Sequence, residues 1–109
     1  MIKMIIKMNE DKISKSGKYS IEQIYLALDR IFLQKGLQKE DTSLGIEYCG
    51  HDNPADFACF GKIMLGLKDQ NWFMDNADKW LYCSNDDSDD LRIFNDEDLL
   101  KHYKNKAIA

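Results

Sequence analysis

Residues 20–36 carry the signals for both ends of one helix, and the rest of the chain has to be arranged around it. Ser20 and Gln23 are spaced as a capping box, in which the hydroxyl accepts from the amide three residues on and the glutamine reaches back. Ile21, Ile24, Tyr25, Leu28, Ile31 and Phe32 then recur at intervals of three and four, giving one apolar stripe. Gly36 follows Lys35 as a left-handed stop. A helix with a single stripe must bury it against a second layer.

The flanking segments supply that layer. Residues 2–8 (Ile-Lys-Met-Ile-Ile-Lys-Met) alternate in part and read as a strand, with Lys3, Ile5 and Lys7 on one face. Residues 9–18 are polar and end in a Ser16-Gly17 breaker, so they read as a connection. Residues 43–49 read as a second strand, with Leu44, Ile46 and Tyr48 on one side. Asn53-Pro54 opens a second helix, asparagine capping and proline taking the first helical position. Its expected buried stripe is Phe57, Phe60, Met64 and Leu67, with Ile63 on the flank. Gly61 and Gly66 each cost that helix about 1 kcal/mol against alanine, which close approach to another backbone would explain.

Residues 72–74 fit a short helical turn or a strand, whereas residues 79–84 (Lys-Trp-Leu-Tyr-Cys-Ser) read as a strand. Residues 91–94 can pair with them antiparallel, leaving the acids between as a hairpin loop. Asn95 then caps a last helix with Leu99, Leu100 and Tyr103 on its apolar side. The expected architecture is α+β, one domain over residues 1–109. It has a small mixed or antiparallel sheet of three to four strands and about three helices packed on one face. A chain of 109 residues can bury about 65% of its unfolded surface, enough for a core without metal or disulfide staples.

Charge is distributed unevenly. Residues 1–40 hold eight bases and five acids, and residues 41–109 hold seven bases and fourteen acids. Seven of those acids fall within residues 85–98 (Asp86, Asp87, Asp89, Asp90, Asp96, Glu97 and Asp98), against the one base Arg92. Such a segment repels itself unless it is solvated, bound to a cation, or turned toward a basic partner. It disfavours a phosphate backbone as ligand. The three cysteines Cys49, Cys59 and Cys83 are an odd number without framework spacing, which points to reduced thiols in a cytoplasmic protein. The start is interrupted by lysines and lacks a signal-peptide h-region, and no run reaches membrane-spanning length.

Three chemistries compete for these residues. The first is a protein-binding surface. Trp80 and Tyr82 share one face of their strand directly before Asp86, Asp87, Asp89 and Asp90. Aromatic anchors beside an acidic rim suit a basic protein partner. For large aromatics of this kind the commoner outcome is that the rings complete the core. The second is calcium. With Asp86 at position 1, residues 86–97 resemble an EF-hand loop, placing Asp90 at 5 and Glu97 at 12, but Leu91 stands where the loop needs glycine. The third is a small ligand-binding or thiol enzyme domain using Cys49 and His51, or a zinc site adding Cys59 and Cys83. No Cys-x-x-Cys knuckle supports the zinc set.

The expectation is therefore a non-catalytic interaction domain, without cofactor, metal, nucleic acid or membrane as partner. Self-association is open through an unpaired sheet edge.

Overall fold

The computed structural model describes residues 1–85 and 95–108, with side chains through residue 104. In chain order the elements are β1 (Ile2–Met8), α1 (Glu10–Ser16), α2 (Ile21–Leu33), β2 (Gln38–Thr42), β3 (Gly45–Cys49), α3 (Ala55–Leu67), α4 (Asn71–Met74), β4 (Ala77–Ser84), β5 (Asn95–Asp98) and α5 (Leu99–Ile108). The strands form one antiparallel sheet in the order β2-β3-β1-β4-β5. Among the described residues the sheet has five strands against the three to four expected, and there are five helices against about three.

Over β1 to β4 the connectivity is the split βαβ arrangement of ferredoxin-like folds. The strand β5, antiparallel to β4, and the helix α5 extend it on one side. That topology hosts many unrelated activities, so function has to be argued from particular residues.

Central β1 sets the two faces. Ile2, Met4, Ile6 and Met8 point to the helices. Register then places Ile46 and Tyr48 of β3 and Trp80 and Tyr82 of β4 on that same side. Ile24, Leu28 and Phe32 of α2, Phe60, Ile63 and Leu67 of α3, Phe73 of α4 and Leu99 of α5 complete one continuous core. The opposite face carries Lys3, Ile5, Lys7, Glu47, Cys49, Lys79, Leu81 and Cys83, as the period-two alternation of strands requires.

The ends of α2 follow their sequence signals. Ser20 Oγ accepts from the Gln23 amide at 3.5 Å, and Gly36 has φ 79°. At α3, Asn53 Oδ1 accepts from the Ala55 amide at 2.9 Å, and Pro54 already has helical dihedrals (φ −60°, ψ −24°). Asp56 returns the bond, its Oδ2 accepting from the Asn53 amide at 3.2 Å. A buried carboxylate thus completes a capping box. It crowds the 49–52 turn so closely that a Cβ on Gly50 would collide with the Asp56 carboxylate.

Three expectations are corrected, and one strand is added. Residues 9–16 are not a connection: Asn9 Oδ1 caps the Lys12 amide at 3.0 Å, and α1 buries the one apolar side chain Ile13. The added strand β2 leaves no apolar trace in the sequence, because all its residues are polar and it needs no buried face at the sheet edge. The stripe of α3 runs through Asp56, Phe60, Ile63 and Leu67, leaving Phe57 73% exposed and Met64 half-buried. Residues 95–98 are a strand and not a helix start. The last helix begins at Leu99, with Asp98 Oδ1 accepting from the Lys101 amide at 3.0 Å. Among the described residues no helix is long and apolar enough to cross a membrane.

Candidate interaction surface

Trp80 stands opposite Ile6 in the β1–β4 ladder, which aims it at the helices. It is 0% exposed, its Nε1 donates to Met4 Sδ at 3.1 Å, and its ring packs edge-on against Phe73 and stacks with Tyr103. The ring therefore joins β4 to α4 and α5 as core, and it is not an anchor held out to a partner. For Trp80 the core placement holds and the anchor role fails, because alternation shows which residues share a face, not which face the helices cover.

Tyr82, two residues on, shares that face but stands opposite Glu97 of edge strand β5. It is half-buried and lines a groove of about 330 Å³ with Phe57, Gly61, Met64, Leu65 and Glu97. Phe57 and Leu65 are strongly exposed on the outer side of α3. Gly61 has nothing near its missing Cβ, so the groove stays open at that point and no backbone within the described fold approaches it. The sequence trace of this groove is a second α3 stripe, Phe57, Gly61, Met64 and Leu65, at helical spacing beside the buried one.

The other groups of this surface are the acids of β5. Asn95, Asp96, Glu97 and Asp98 are all exposed. Glu97 lies on the groove side, while Asp96 and Asp98 stand opposite Cys83 and Leu81 on the far face of the sheet. Asp86, Asp87, Asp89 and Asp90 lie outside the described residues, as does the expected strand at residues 91–94. The calcium-loop frame is described only at its end, where Glu97 lies in a strand.

The thiols do not converge. Cys49 and Cys83 flank Lys3 on the face away from the helices, each opposite it in register. Two strand spacings of about 4.8 Å separate them, beyond the Cα reach of a disulfide. Cys59 lies in α3, in the other layer. Cys49 donates to Glu47 Oε1 at 3.3 Å, and burial, reinforced by that carboxylate, pushes its thiol up to about 11. Burial and the Asp96 carboxylate push Cys83 up to about 12. Both are thus protonated donors at neutral pH, the opposite of an activated nucleophile. His51 Nε2 meets the Gly36 carbonyl oxygen instead of Cys49. Among the described residues no three His, Cys, Asp or Glu side chains are grouped to hold a metal.

Among the described residues the face away from the helices presents no aromatic ring on which a base could stack. Across β2 to β5 it presents Glu40, Glu47, Asp96 and Asp98 with Lys3, Lys7 and Lys79, and the sheet's Tyr48, Trp80 and Tyr82 all lie on the other side. Sheet-based recognition of single-stranded RNA stacks bases on aromatic rings on that face. Compared with known proteins, the chain matches no family model, no curated protein and no solved structure.

Proposed function

We propose that this domain is a non-catalytic, cytoplasmic interaction module that docks a basic protein segment along its β5 edge. The observation that carries the reading is Glu97 on the rim of the groove lined by Phe57, Met64, Leu65 and Tyr82, within a strand of successive acids. An apolar anchor enters the groove, and basic neighbours meet Asp96, Glu97 and Asp98. Asp86, Asp87, Asp89 and Asp90, close to β5 in sequence, extend the attraction over longer range. Tyr82 remains the aromatic of the proposed contact, and Trp80 supports it by fixing β4 to the core. The three free thiols support a reducing compartment.

Affinity capture from the native cell tests this, comparing the wild type with Glu97→Gln/Phe57→Ala and with Asp86, Asp87, Asp89 and Asp90 all changed to Asn. A basic protein held by the wild type and lost from both variants supports the reading. A melting temperature that rises with calcium would point to the cation loop instead.

A further inference from the structure

A second groove, on the opposite flank of α3, differs in charge from the first. It lies between α2 and α3 and is closed at one end by α4. Its walls are Ile31, Ile63, Leu67 and Trp72, and its volume is about 410 Å³. Trp72 is held as a wall by its Nε1, which donates to Gln70 Oε1 at 3.1 Å. Gly66 contributes no side chain, and a Cβ there would meet nothing within 4 Å, so the floor is open to an incoming surface. Its charged lining residues are Lys35 and Lys62, both exposed. Neither has an ion-pair partner among the described residues, whereas Lys39 is held by Asp29 and Lys68 by Asp69. In a chain of net charge −4, an apolar seam edged by two unengaged lysines is a local reversal of sign.

We propose that the α2–α3 seam is a docking site for an acidic amphipathic helix of a partner protein. An open trough between two helices presents ridges and a groove that a third helix can pack into. A bound helix reads such a trough through apolar side chains at i, i+3, i+4 and i+7. The missing side chain at Gly66 lets its backbone come close. Lys35 on one wall and Lys62 on the other pair with carboxylates flanking the apolar stripe. The site is independent of the acidic β5 edge, so one domain can join a basic partner to an acidic one.

The probe is a synthetic amphipathic peptide of about four turns, with leucines at those spacings and glutamates on the remaining face. Trp72 is the reporter, since Trp80 is already buried. The wild type should show saturable quenching or a blue shift, weakening as salt rises. Lys35→Glu/Lys62→Glu should lose at least about tenfold in affinity, because two attractions become repulsions. Gly66→Leu should fill the floor, keep the fold and block the peptide. Thermal melts of both variants confirm folding. The proposal is overturned if the wild type gives no saturation up to roughly 1 mM peptide, or if either variant binds as the wild type does. Saturable binding of decanoate but not of the peptide would assign the groove to a lipid-like ligand and also overturn it. So would a concentration-dependent dimer that the lysine reversal abolishes, since a second copy would then be the occupant.

Discussion

The Tyr48 hydroxyl donates to Asp29 Oδ1 at 2.8 Å, across the interface between β3 and α2. Its ring stacks on Phe32 with centroids 3.9 Å apart and planes 4° from parallel. Asp29 Oδ2 in turn holds Lys39 of β2 at 2.9 Å. One helix is thereby tied to the two outer strands on its side of the sheet, and β2, with no buried apolar residue of its own, gains a tertiary anchor. Tyr48→Phe keeps the stacking and removes the bond. It should cost about 1.5–3 kcal/mol in chemical denaturation, the range for a hydrogen bond to a charged partner. A variant as stable as the wild type would show that the stacking alone holds the interface.

Alkaline stability follows from the same buried donors. Burial first, then the Asp29 carboxylate, pushes the Tyr48 hydroxyl well above the ordinary tyrosine range. Burial and Glu10 push Tyr25 up to about 12, and Cys49 and Cys83 stand at about 11 and 12. Each group is raised in the folded state, so its contribution is complete below the unfolded pKa and is lost as pH rises through the folded one. Stability should therefore hold at neutral pH and fall from about pH 9 upward, where unfolded thiols and then phenols ionise. Denaturation midpoints across that window check this, with tyrosinate absorbance of Tyr48 appearing together with unfolding. A midpoint that stays flat to pH 11 would contradict it.

The phase of α3 separates two phenylalanines three residues apart. Phe60 is fully buried, so Phe60→Ala should cost about 3–5 kcal/mol. Phe57 faces solvent, and Phe57→Ala should stay within about 0.5 kcal/mol of the wild type. Equal losses in denaturation would mean that the outer stripe is covered in the free protein.

Gly50 is required by a neighbour and not by its own dihedrals. Its Cβ position is occupied by the Asp56 carboxylate, which is 4% exposed and bound to the Asn53 amide. Gly50→Ala should destabilise by about 1–3 kcal/mol, the usual cost of overpacking. A melting temperature at or above the wild type's would show that the carboxylate can move aside freely.

Legibility in the sequence tracks burial. β1, α2 and β4 each hide several apolar side chains, so their period shows directly in the residue order. α1 buries Ile13 alone, and β2 and β5 are polar throughout. These elements exist because caps, hydrogen-bond ladders and neighbouring strands hold them, and such partners leave no periodic trace. The phase of α3 was obscured because its buried face begins with the capping residue Asp56, while the apolar Phe57 beside it faces out. The same logic divides Trp80 from Tyr82. Alternation puts them on one face, but the cover from α4 and α5 buries the first and the sheet margin leaves the second half-open. The groove beside Glu97 is formed by α3 and β5 meeting in space, and neither segment announces the other.

The most direct test of the acidic-edge reading is the association kinetics of the captured basic partner across a salt series. Screening shortens from about 10 Å at 0.1 M to about 3 Å at 1 M. The on-rate should fall steeply with salt for the wild type. It should start lower and fall less for the variant with Asp86, Asp87, Asp89 and Asp90 changed to Asn, while Phe57→Ala should act mainly by raising the off-rate. An on-rate indifferent both to salt and to the aspartate substitutions would contradict the account.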